Sequence, residues 1–141
     1  DGSPEGLDQL LILAAVEGKG HAVEALVAAG ASLEAQSPSL ALWRPLHLAV
    51  EHGHAAVVRR LVELGADINA RATDRMTPLH LAVDAAADAV EQGGPNGAQK
   101  DVLRTLVDLG ADTCVRDSNG KTPSDWAKES GQKDLVSLLP P

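Results

Sequence analysis

Five histidines, His21, His47, His52, His54 and His80, offer the broadest chemistry in the chain, because imidazole binds metals and moves protons near neutral pH. The one tight cluster is His52-Gly53-His54 after Glu51, and no second ligand pair stands at a metal-binding spacing. No Gly-rich loop carries a phosphate-binding lysine, and no serine or cysteine occupies a nucleophile motif; the lone cysteine, Cys114, lies in a turn. The residues therefore assign no catalytic group, no metal and no cofactor. A binding protein is the expectation, not an enzyme.

The elements that position these histidines repeat. Leu46-His47-Leu48-Ala49-Val50 returns as Leu79-His80-Leu81-Ala82-Val83, displaced by 33 residues, and such a period means stacked repeats. Gly30-Ala31-Ser32, Gly65-Ala66-Asp67 and Gly110-Ala111-Asp112 mark the repeat ends. Before each, apolar residues recur at helical spacing, as in Val57-Val58-Arg59-Arg60-Leu61-Val62. A shorter helix precedes that one, opened by Thr77-Pro78 or Thr122-Pro123, where the hydroxyl caps free amides and proline suits the first turn. Gly53 and Gly131 stop this first helix.

Composition agrees with closely packed helices. Of 141 residues 44% are apolar, almost all Ala, Leu and Val, with Trp43 and Trp126 the only aromatics, so the chain reads all-α. The net charge of −8 is spread along the chain and repels phosphate backbones and anionic lipid, which argues against nucleic acid and for a basic peptide or protein face. Leu10 to Val16, the longest apolar run, is too short to span a membrane or act as a signal peptide, although a start at Asp1 leaves room for a removed targeting segment. A single cysteine gives no sign of an oxidising compartment, and an intracellular protein is expected.

The Thr77-Pro78-Leu79-His80-Leu81-Ala82 run, the Gly65-Ala66-Asp67-Ile68-Asn69-Ala70 run and the 33-residue period resemble the ankyrin repeat. The resemblance covers about residues 6 to 139 of a single domain, with repeats at about 6–38, 39–72, 73–117 and 118–141, the first and last acting as caps. It implies a solenoid of helix-turn-helix units joined by β-hairpin-like fingers. It also implies that His47 and His80 hydrogen-bond between neighbouring repeats, and it places Trp126, at the position of Leu48 and Leu81, in the core.

Three departures stand out. Ala82 to Gly110 spans 28 residues where Ala49 to Gly65 spans 16, an insertion of 12 near residues 85–97. Its alanine-rich start predicts about two more turns of helix, then a loop over Gly93-Gly94-Pro95-Asn96-Gly97, either as a tolerated insertion or as a partner contact. The finger ahead of the second repeat carries Leu40, Leu42 and Trp43, which either mark a contact site or fold back over the first repeat. Arg44 stands in place of the capping threonine and cannot accept an amide bond.

The expected function is a protein–protein interaction module whose concave face binds a peptide or protein, with an apolar anchor and basic flanks. By motif position that face holds Leu40, Leu42, Trp43, Glu51 and His52 in the second repeat and Met76, Asp84 and Ala85 in the third. Lys121, Glu129 and Ser130 continue it in the fourth. A rival reading is a regulatory or self-docking domain of a larger enzyme or scaffold. Leu61, five residues, then Asp67-Ile68-Asn69 resembles the site of an animal asparaginyl hydroxylase, which implies hydroxylation at Asn69; the alternative is an Asn69 that hydrogen-bonds within its turn.

Overall fold

The structure, a computed structural model, describes residues 4–36, 43–72, 75–93 and 97–139, with side chains from residue 6 onward. Eight helices run through the described residues and pair as α1 (Pro4–Glu17) with α2 (Gly20–Ala28), α3 (Pro45–Glu51) with α4 (Ala55–Glu63), α5 (Pro78–Glu91) with α6 (Gly97–Asp108), and α7 (Pro123–Glu129) with α8 (Lys133–Leu138). The first helices of the pairs form one layer, α1 on α3 on α5 on α7, and the second helices the other. The seam between the layers is one continuous core running from Leu11, Ala15 and Val23 through Leu46, Leu61, Leu79 and Leu103 to Leu135.

The starts of α5 and α7 are built by reciprocal bonds. In α7, Thr122 Oγ1 accepts from the amide of Asp125 at 3.2 Å, and Asp125 Oδ2 accepts from the amide of Thr122 at 3.0 Å. In α5 the return bond runs to histidine: His80 Nδ1 accepts from the Thr77 amide at 3.2 Å. A ring nitrogen that accepts leaves the proton on the other, so His80 Nε2 donates to the carbonyl of Lys121 at 2.9 Å, in the next finger. His47 repeats this, accepting from the Arg44 amide at 3.1 Å and donating to the Ala70 carbonyl at 2.9 Å. Both rings are fully buried and neutral, and each ties one repeat to the next.

The fingers are hairpin-like, yet no strand forms among the described residues. The two later fingers are each closed by a pair of backbone bonds, Ala72 N to Met76 O at 2.7 Å and Arg75 N to Ala72 O at 3.1 Å, then Asp117 N to Lys121 O at 2.9 Å and Gly120 N to Asp117 O at 3.0 Å. Side chains link finger to finger: Arg44 reaches the Arg71 carbonyl at 3.0 Å, and Arg71 the Arg116 carbonyl at 3.0 Å.

Helix α5 has 14 residues against seven in α3 and α7, because the alanine-rich insert continues the helix to Glu91. Gly97, expected in the loop, is instead the first residue of α6. The first repeat does not present the polar outer face of a cap: Leu10 and Leu13 are 49% and 51% exposed. Its sequence keeps apolar residues where internal repeats bury them, so the packing surface continues to the end of the stack.

Candidate functional site

The inner helices α3, α5 and α7 carry the expected residues in line. Glu51 ends α3 with an exposed side chain, and Asp84 stands half-buried on α5. Partial desolvation where its carboxyl turns to the protein raises the Glu51 pKa, though the side chain as a whole stays exposed, and repulsion from Asp84 and Asp88 adds to it; burial and then Asp88 and Glu91 raise Asp84 in the same way. Among the described residues no lysine or arginine pairs with Glu51, Asp84, Asp88 or Glu91. The result is a stretch of negative charge held together at an electrostatic cost.

Beside it, between the second half of α5 and α7, lies a cavity of about 230 Å³ walled by Asp84, Ala87, Asp88, Glu91 and Trp126. Trp126, expected in the core, is only half-buried: its indole donates to Asp117 Oδ2 at 2.9 Å and meets His80 edge-on at 5.4 Å, leaving part of the ring in this cavity. Asp88 and Glu91 were not singled out in the sequence, and Trp126 was read there only as core. The signal was present, since an extra two turns of helix must carry its acidic residues up the same face, three and four positions apart.

Other expected residues fall elsewhere. Leu40 and Leu42 lie outside the described residues. Trp43 is half-buried against the core, its ring 6.4 Å from that of His47, and its indole nitrogen has no hydrogen-bond partner among the described residues. Met76 is likewise half-buried on the core, in the following finger. Ala85 does not line the groove: it is 8% exposed, because the continued helix keeps packing where α3 has already ended at the equivalent His52. His52 is exposed and stacks on His54, the rings 6.3 Å apart, while His54 Nε2 donates to the Val16 carbonyl at 2.9 Å. That bond fits closely over Gly18, where a Cβ would stand 2.7 Å from His54 and φ is +76°. Lys121 is neutralised by Glu129 at 2.7 Å, and Ser130 donates to the Ala127 carbonyl at 2.7 Å.

Asn69 works between repeats. Its Oδ1 accepts from the Asp112 amide at 2.8 Å, as Glu34 Oε1 accepts from the Asp67 amide at 3.0 Å one repeat earlier.

No helix among the described residues is long and apolar enough to cross a membrane, and no three of their His, Cys, Asp and Glu side chains are grouped to hold a metal. A comparison with curated proteins finds no match. A family model of ankyrin repeats in three copies matches residues 10–92, and a single ankyrin-repeat model matches residues 74–118. Such repeats are in general protein–protein interaction modules, and proteins built of them are typically non-catalytic. With paired helices, hairpin-like fingers and histidines bridging from repeat to repeat, and with matches that reach from residue 10 to residue 118, the chain belongs to the ankyrin-repeat family.

Proposed function

We propose that this domain binds a protein segment rich in basic side chains, laid along the inner helices from Glu51 to Glu129. The observation that supports it is the crowding of Glu51, Asp84, Asp88 and Glu91; the raised pKa values of Glu51 and Asp84 fall back once an arginine or lysine of a partner stands among them. Trp126 adds an aromatic face within reach of the same carboxylates, which suits a guanidinium or ammonium group stacked on the indole. Trp43 and Met76 supply apolar contact on the finger side. A net charge of −8 makes nucleic acid a poor partner on this reading, and the one exposed thiol, Cys114, fits a reducing, intracellular setting.

Selection from a random peptide display library tests this without a known partner. Recovered peptides should be enriched in arginine and lysine, and the pair Glu51→Lys with Asp84→Lys should slow their association and flatten its dependence on salt. Glu63→Lys, on the exposed side of α4, should leave binding unchanged. Peptides without basic enrichment, or binding indifferent to the Glu51 and Asp84 reversals, would show that the acidic face is not the site.

A further inference from the structure

The free face of the first repeat is a groove of about 360 Å³ between α1 and α2, walled by Leu10, Leu13 and Leu26 over a floor that includes Ala22 and Ala25. Its position in the repeat register gives it meaning. Leu13 aligns with Leu48 and Leu81, Ala22 with Val57 and Val102, and Leu26 with Leu61 and Leu106. All six of those counterparts are at most 4% exposed, because the preceding repeat covers them, whereas Leu13 is 51% exposed. The groove therefore continues a surface that is an established interface wherever a repeat precedes it. An apolar face of this kind in an otherwise charged molecule marks a contact.

Three occupants compete, and the structure separates them. A preceding repeat of the usual kind would bring its finger beside the first finger, but α1 fills that place itself. Asp8, on the six residues by which α1 outruns the start of α3, accepts from the Ser32 amide at 2.7 Å, doing for the first finger what Glu34 and Asn69 do for the next two. Head-to-tail stacking of two copies would press the last repeat onto the groove, and there the exposed side chains are Lys128, Glu129, Lys133, Asp134 and Ser137. Burying those charges against leucine and alanine is unfavourable. Two first-repeat faces meeting about a two-fold axis bury only apolar walls, and Glu17 and Lys19 on the rim neutralise each other at 3.3 Å, so the face escapes the repulsion expected of a strongly acidic chain.

We infer that a second copy of this chain covers the groove, giving an isologous dimer through α1 and α2. The contact lies apart from the acidic inner face and does not depend on what binds there.

Sedimentation equilibrium of the whole chain over a dilution series tests this. The expected result is a reversible monomer–dimer equilibrium with no larger species. Leu13→Glu should weaken dimerisation by at least about tenfold, since it buries two carboxylates in the apolar seam. Its circular dichroism and unfolding midpoint should match those of the dilute parent, because Leu13 is half exposed in the monomer. Leu10→Gln should weaken the dimer too and serves if Leu13→Glu misfolds, whereas Lys133→Glu on the last repeat should dimerise like the parent. A chain that stays monomeric into the high micromolar range, a dimer indifferent to both leucine substitutions, or open-ended growth with concentration would each overturn the inference.

Discussion

Arg44 Nε lies 2.8 Å from Glu34 Oε2, across the finger that joins the first repeat to the second. The same guanidinium donates to the Arg71 carbonyl at 3.0 Å, and the other oxygen of Glu34 accepts from the Asp67 amide at 3.0 Å. Arg44 has thus given up the cap of α3 and links two successive fingers instead. The lost hydroxyl cap costs about 0.5–2 kcal/mol, while a half-exposed ion pair contributes about 0–1 and the carbonyl bond about 0.5–1.5 kcal/mol. These nearly cancel. Arg44→Thr should therefore stay within about 1 kcal/mol of the parent in denaturant unfolding, and Arg44→Ala, which has neither device, should fall about 1–2 kcal/mol below it. A clear gain in stability for Arg44→Thr would mean that the finger bridge contributes nothing.

Asn69 gives a second case in which a side chain serves the stack. Its amide oxygen satisfies the backbone N–H of Asp112, so Asn69→Ala leaves that donor to water at the repeat boundary. The expected loss is about 1 kcal/mol. Asn69→Asp keeps the acceptor and should recover most of it. The hydroxylation implied by the surrounding motif is read separately, by mass spectrometry of the protein from animal cells, as one added oxygen on Asn69.

Much of this arrangement was legible because repetition fixes a register, and a register assigns residues to faces. The bonds of His47 and His80 follow from the motif once the repeats stack, and the lengthened α5 follows from its alanine-rich run. The site was less legible, since groove positions were read one repeat at a time. Ala85 was carried over from His52, yet a helix that continues past that point buries it. Trp126 was read as core from Leu48 and Leu81, yet an indole is too large to be covered at a position a leucine fills, and its nitrogen is drawn to Asp117. The open face of the first repeat was missed for a similar reason: Leu10 and Leu13 look like ordinary core residues until the structure shows that nothing covers them.

Trp43 separates packing from binding. It is half-buried on the core, so Trp43→Ala should lower stability by about 1–3 kcal/mol, below the range for a fully buried tryptophan. Loss of apolar contact with a partner would appear on top of this, as a binding defect of about tenfold or more, measured at a temperature where the variant is fully folded. A stability loss with unchanged affinity for selected peptides would remove Trp43 from the binding face and leave it as part of the core.

Acid should loosen the stack through its bridging histidines. Burial holds the pKa of His47 down to about 4, against the opposing pull of its bond to the Ala70 carbonyl, and burial lowers His80 as well. A histidine whose folded pKa lies below its unfolded value near 6.5 binds fewer protons in the folded state. Its contribution is complete above about pH 6.5 and is lost as pH falls toward 4, by about 3 kcal/mol for His47. Glu51 and Asp84 act in the opposite sense, because a carboxyl with a raised folded pKa favours the folded state as it protonates; they soften the loss at the acid end of the window. Denaturant midpoints near neutrality and at about pH 5 should therefore differ clearly for the parent chain. His47→Gln keeps an N–H for the Ala70 carbonyl and carries no titrating ring, so it should be less stable than the parent near neutrality but vary less with pH. Equal midpoints for the parent at both pH values would mean that His47 is not held neutral by burial, and that the carbonyl bonds of the stack tolerate a charged imidazole.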